Sequence, residues 1–204
     1  MEKRTIGGYE IIDSFRIGKY EIALCENRGA PPEEVYLCGL IESNGIVEML
    51  TDCMASDSFA DISTCYGEKI AEKAEEVQKE SEEIARAVGD NPELTAKDCS
   101  PVSDFDCIEG RIIVLKGDVM RPEYKRATSQ LLLCTGGFGA QANARGRTCF
   151  ATRIYDGEKT SCQRSDVLGV MEEDKLPEWA NDRLTEILRQ IREERLKRDT
   201  RGER

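Results

Sequence analysis

The chain has 204 residues, 34% charged and 39% apolar, a balance that suits a well-solvated α+β protein better than a disordered one. Its formal charge is −11 and it has no histidine, which removes the commonest metal ligand and the commonest neutral-pH general base. The acidity is local: residues 32–106 hold 19 Asp and Glu against 5 Lys and Arg, a field that repels nucleic acid and attracts basic protein surfaces.

Residues 9–15 and 20–26 gather β-forming side chains around Arg16-Ile17-Gly18-Lys19, where Gly18 can supply a positive φ, so a β-hairpin is predicted. After a loop over 27–34, residues 35–41 read as a third strand and 45–50 as a fourth. Phe59, Ile62, Tyr66, Ile70, Ala74, Val77, Ile84 and Val88 recur at three, four or seven residues, the stripe of a long amphipathic helix that covers this small antiparallel sheet. Ser58 with Asp61 resembles a capping pair, and Gly89 is a suitable stop. About 30 residues of helix reach roughly 45 Å, more than four strands can cover, so the later turns are expected to project or bend.

Residues 90–106 form a polar connection, dividing the chain into an expected unit 1–95 and a second unit 96–204. In the second unit, residues 111–115, 130–134, 148–154 and 159–164 read as strands, with Asp156-Gly157 as a two-residue hairpin turn between the last two. Four or five short strands predict a small β-barrel-like sheet. Pro177 suits the start of a final helix with Leu176, Ala180, Leu184, Ile187, Leu188 and Ile191 on its apolar face. Beyond Arg192 the charged tail is expected to fray or to stay disordered.

The nine cysteines are irregularly spaced without a CxxC pair, unlike a disulfide framework or a zinc site. Most are expected to act as small hydrophobes, with Cys38 and Cys134 buried in apolar runs. No apolar run approaches the roughly 20 residues of a membrane span and no secretory core follows Met1, so a cytoplasmic location is expected.

The most phosphate-like loop is 135–147, where four glycines could expose backbone N–H groups and Arg145 and Arg147 could hold an anion. It lacks the Lys-Ser/Thr of a P-loop and lies between strands, so the plainer reading is a long hairpin connection, and a further one presents Phe138 and the two arginines to a protein. Along the helix, Asp61, Glu68, Glu72, Glu75, Glu76, Glu82 and Glu83 lie mostly off the apolar stripe and can imitate a string of phosphates. The ordinary alternative is a solvated helix, with Lys69, Lys73, Lys79 and Arg86 pairing with these acids, as in Glu75–Lys79 and Glu82–Arg86. Glu33, Glu34, Glu42, Glu48, Asp52, Asp57, Asp98, Asp104 and Asp106 lack comparable local partners and sustain the mimic. Asp104 and Asp106 alone are too few for a metal, nucleophile schemes lack a base, and no cofactor is expected. The basic cluster Arg121, Tyr124, Lys125 and Arg126 and the Arg-rich tail are too small to outweigh the net charge.

Five phrases occur together: Ile6-Gly-Gly-Tyr-Glu-Ile-Ile12, Met54-Ala-Ser-Asp-Ser-Phe59, Met120-Arg-Pro-Glu-Tyr-Lys-Arg126, Thr135-Gly-Gly-Phe-Gly139 with Ala144-Arg-Gly146, and Leu176-Pro-Glu-Trp-Ala180. In this combination the chain resembles, over most of its length, a set of accessory proteins carried on conjugative and other mobile elements of gut Firmicutes. The resemblance supplies no catalytic residues. It implies a non-enzymatic anti-defence factor of the anti-CRISPR or antirestriction type, which that class resembles in bulk charge. The implied partner is a host defence nuclease, a Cas9-type effector or a restriction enzyme, with no direct nucleic-acid binding through the acidic half. A protein-binding module of conjugation or replication machinery is the first rival, and a phosphate- or nucleotide-binding enzyme using loop 135–147 the second.

Overall fold

The computed structural model describes residues 4–43, 45, 47–143 and 146–202. The chain is α+β and divides into two compact units, Met1–Ala87 and Val88–Arg204. In the first, β1 (Thr5–Ile6), β2 (Tyr9–Ile17), β3 (Tyr20–Glu26), β4 (Tyr36–Ser43) and β5 (Glu48–Ser56) lie in that order as an antiparallel sheet. Ile17 pairs with Tyr20 across the expected hairpin turn, where Gly18 takes φ +54°. The sheet curls: Arg4, just before β1, donates to Glu21 on β3 and, at 2.8 Å, to Glu48 at the start of β5.

Two strand expectations change. β1 is too short to carry a period, and β5 runs on to Ser56 through a bulge that interrupts its alternation. There the register passes from Cys38↔Met54 to Leu40↔Thr51, and Asp52 adopts φ +50°. Gly39 faces the bulge without room for a side chain, since a Cβ would come 2.8 Å from Cys53 Sγ and 2.9 Å from the Thr51 carbonyl oxygen. β3 is buried on both sides, with Ile22, Ala23 and Cys25 inaccessible. Ile22 and Leu24 pack with Cys38, Ile62 and Tyr66 beneath the helix.

That helix, α1 (Phe59–Val88), begins where Ser58 Oγ accepts the Asp61 N–H at 3.2 Å and ends before Gly89, at φ +74°. Its buried stripe is Ile62, Tyr66, Lys69, Lys73, Val77 and Ile84, while Ile70 and Ala74 are half-buried. Phe59 stays 47% exposed, edge-on to Tyr36. The two lysines therefore lie on the inward stripe, although the Lys73 ammonium still pairs with helical acids as the solvated-helix reading expects. Lys69 Nζ reaches the carboxylate of the bulge residue Asp52, and Lys73 lies over the Tyr20 ring, 5.2 Å from its centroid.

In the second unit β6 (Ile112–Leu115), α2 (Ala127–Gln130), β7 (Leu131–Gly136), β8 (Thr148–Arg153), β9 (Lys159–Gln163), β10 (Val167–Met171) and α3 (Glu178–Gly202) follow in the chain. The sheet order is β10–β6–β7–β8–β9, all antiparallel. β6 and β7 are continuous apolar runs because both faces are covered. Ile112, Val114, Leu131 and Leu133 pack with Leu176, Ala180, Leu184 and Ile187, whereas Ile113, Leu132 and Cys134 pack with Ile108, Ala140 and Cys149.

Residues 90–106 are stitched to this second sheet. Asn91 and Thr128 exchange two hydrogen bonds. The fully buried Gln130 side chain accepts the Leu94 N–H at 2.7 Å and donates to the Leu94 and Leu115 carbonyls. Ser100 also bridges to Val170 on β10, the strand that went unread in the sequence. The Asp156-Gly157 connection is longer than two residues, since Thr152 is the last β8 residue to pair, with Lys159, and Ile154 turns wholly into the core. α3 continues past the end of its apolar face as far as Gly202, where a frayed or disordered tail was expected. Arg189–Glu193, one turn apart on α3, and Lys159–Glu194, reaching from β9, flank that continuation.

Candidate partner-binding site

On α1 the residues left over from the buried stripe include Asp61, Glu68, Glu75 and Glu82, each seven positions from the next. Seven residues are nearly two turns, so the four share one line on the outer side, about 10.5 Å apart and drifting by roughly 20° per step. All four are exposed, as are Glu72 and Glu83, which flank the line. Lys79 and Arg86 stand on the same side, but the expected Glu75–Lys79 and Glu82–Arg86 ion pairs are not among those of the described residues. Arg86 Nε donates instead to the main-chain oxygen of Glu82, whose carboxylate accepts from Gln78 at 3.0 Å.

Two of the helical acids are held by a lysine. Lys73 Nζ binds Glu76 at 2.7 Å and Glu72 at 2.9 Å, and the Tyr20 hydroxyl donates to Glu76 at 2.6 Å. Lys73 first, then Tyr20, holds the Glu76 carboxyl below the usual carboxylate range. Among the described residues Asp61, Glu68, Glu75 and Glu83 take part in no ion pair.

Several other acids thought to lack partners have them. Glu48 is bound by Arg4, Asp52 by Lys69, and Glu42 accepts from the Thr51 hydroxyl. Asp98 and Asp106 close their own turns, accepting the N–H and hydroxyl of Thr95 and of Ser103. Those bonds hold both carboxyls below the usual range.

In the second unit, loop 135–147 carries Phe138 at 83% exposure and an exposed Arg147, whereas Arg145 lies outside the described residues. Its glycines answer to packing. A Cβ on Gly137, at φ +97°, would meet the Thr148 oxygen at 2.6 Å, and one on Gly139 would meet the Arg147 oxygen at 2.4 Å. Phe138 and Arg147 are brought to the same end of the loop, because Gly146 packs on the Phe138 Cβ.

The sequence reading missed a groove of 1090 Å³ between the face of β7–β9 and the later turns of α3, with Phe150, Leu188, Ile191 and Leu196 on its walls. The available signal was Phe150, which alternates with the buried Cys149 and Ala151 and so points to the other face. Among the described residues no group of three or more Cys, Asp or Glu could hold a metal ion. No described helix is long and apolar enough to cross a membrane. No family model, curated protein or solved structure matches the chain.

Proposed function

We propose that the chain is a mobile-element-encoded anti-defence protein that docks on a host nuclease effector, of Cas9 or restriction type, through the acidic outer side of α1. It would block DNA binding or cleavage without being an enzyme. The observation that carries this reading is the line Asp61, Glu68, Glu75 and Glu82, with Glu72 and Glu83 beside it. Its carboxylates are held by one rigid helix in place of phosphates, facing grooves that Arg and Lys line to hold a nucleic-acid backbone.

In a reconstituted cleavage assay with such an effector, inhibition is expected to weaken steeply between about 50 and 200 mM salt. The triple change E68Q/E75Q/E82Q is expected to weaken it at least about tenfold. Undiminished plasmid interference across the host's defence systems in the presence of the chain removes the support for this reading.

A second reading, a non-enzymatic module of conjugation or replication machinery, is favoured by the 83% exposure of Phe138 beside Arg147, an aromatic and arginine pair of the kind that anchors protein interfaces. In both readings the second sheet is taken as barrel-like. β9 and β10 stand at its opposite edges yet are joined by three residues, Arg164–Asp166. Four strand spacings of a flat sheet measure about 19 Å, whereas four residue steps reach at most about 14 Å, and this mismatch supports edges that curl together at that corner.

A further inference from the structure

The corner between β9 and β10 walls a polar cleft of 570 Å³ whose described lining includes three cations, Lys116, Arg147 and Arg164, and one carboxylate, Asp104. In a chain of net charge −11, such a gathering of positive charge in one recess needs a reason. Two of the three cations have structural duties. Arg164 donates to the carbonyls of Gly139, Ser103 and Asp106 at 3.2, 2.7 and 2.9 Å, tying three segments together around the cleft. Lys116 Nζ donates to the Ser165 carbonyl at 2.6 Å, one of its three N–H donors.

Arg147 is different. Its main-chain oxygen accepts the Arg164 N–H at 2.7 Å, which fixes its place on the rim, yet its guanidinium makes no hydrogen bond or ion pair among the described residues. The neighbouring acids form no ion pair with it among the described residues: Asp166 accepts from the Gln163 N–H and the Ser165 hydroxyl, and Asp106 from Ser103. The cleft therefore offers a planar guanidinium fork and an ammonium on a frame already held rigid by Arg164.

We infer that this cleft binds a small phosphomonoester, with the phosphate held by Arg147 and Lys116 in the positive field of Arg164. Arg binds a phosphate in two parallel hydrogen bonds while Lys acts as a point charge, a division of labour that this pair reproduces. Val102 and Val167 supply an apolar wall for a compact organic group, and the volume falls within the range of small-molecule sites. The site is independent of the acidic helix and of any nuclease partner.

Calorimetric titration of the full chain with inorganic phosphate, a nucleoside monophosphate and the matching unphosphorylated nucleoside tests the inference. The two phosphate compounds are expected to bind saturably and the nucleoside not. Arg147→Ala, at an exposed position, is expected to weaken both at least about tenfold, with Arg147→Lys recovering part of the loss. Lys116→Met serves as a second variant should circular dichroism show either Arg147 variant unfolded. E68Q/E75Q/E82Q is expected to bind phosphate like the unaltered chain, which separates a failure here from a failure of the acidic docking reading. Absence of saturable binding up to about 10 mM phosphate, or binding unchanged by the folded Arg147 and Lys116 variants, overturns the inference.

Discussion

Glu21 stands between two guanidiniums, Arg4 and Arg16, inside the curl of the first sheet. Burial pushes its carboxyl up, but the hydrogen bonds from Arg4 and Arg16 outweigh it and hold the group below the ordinary range. A carboxyl lowered on folding contributes stability above its unfolded value, and that contribution is lost as pH falls through the folded one. The stability of the first unit to denaturant is thus expected to carry this group's full contribution, unchanged with pH, near neutrality and to fall below about pH 4.3. Glu21→Gln should flatten that acid slope, and an unchanged slope would show the pairing to be idle. Lys69 and Lys73 teach a related lesson. Their spacing from Ile62 and Tyr66 placed them on the inward stripe all along, but their charge argued for the acidic face. Which prevailed depended on Asp52 and Tyr20, residues on strands that no helical window contains.

The element that most resembled a ligand loop, 135–147, carries its glycines for close approach of backbone. Gly137→Ala forces a Cβ to within 2.6 Å of the Thr148 oxygen at φ +97°, and is expected to cost the second unit about 1–3 kcal/mol. Trp179, the single tryptophan, packs edge-on to Tyr155 and reports that loss by fluorescence in a urea titration. A neutral substitution would mean that the loop has slack, and would return the glycines to a binding role. Helix α1 was legible because its period repeats over many turns, and the paired apolar runs of β6 and β7 were legible because both of their faces are covered. β5 was cut short and β10 missed for the opposite reason: a bulge breaks the alternation of one, and the other is five residues joined to β9 by a three-residue corner.

Across the entire chain, the nine thiols divide by burial in a way that reports on each unit. Cys25 and Cys38 lie in the first core, where burial pushes their thiols up to about 11 and about 12. Cys134 and Cys149 lie in the second, whereas Cys53 and Cys107 are exposed. Alkylation mapped by mass spectrometry is expected to label Cys53 and Cys107 in the native protein, and the buried thiols only through the unfolding of their own unit. Labelling of Cys134 as fast as Cys107 without denaturant would contradict the packing described. The formal charge of −14 over 32–106 is likewise not a uniform surface. Arg4 and Lys69 pair with Glu48 and Asp52, Asp98 and Asp106 are turned to their own loops, and the four acids of the line on α1 form no ion pair among the described residues.

Periodicity and composition sufficed for the α+β class, the long helix, the first hairpin, the buried Cys38 and Cys134, and the side of α1 on which the acids stand. These are local properties, because the helical and strand repeats set which way each side chain faces whatever the chain does elsewhere. The partners of the charges were settled by folding. Arg4 meets Glu48, Lys69 meets Asp52, and Arg164 draws Ser103, Asp106 and Gly139 around a cleft, each through chain closure that brings remote residues within hydrogen-bond reach. Electrostatic energy depends on distance through space, and distance along the chain does not determine it.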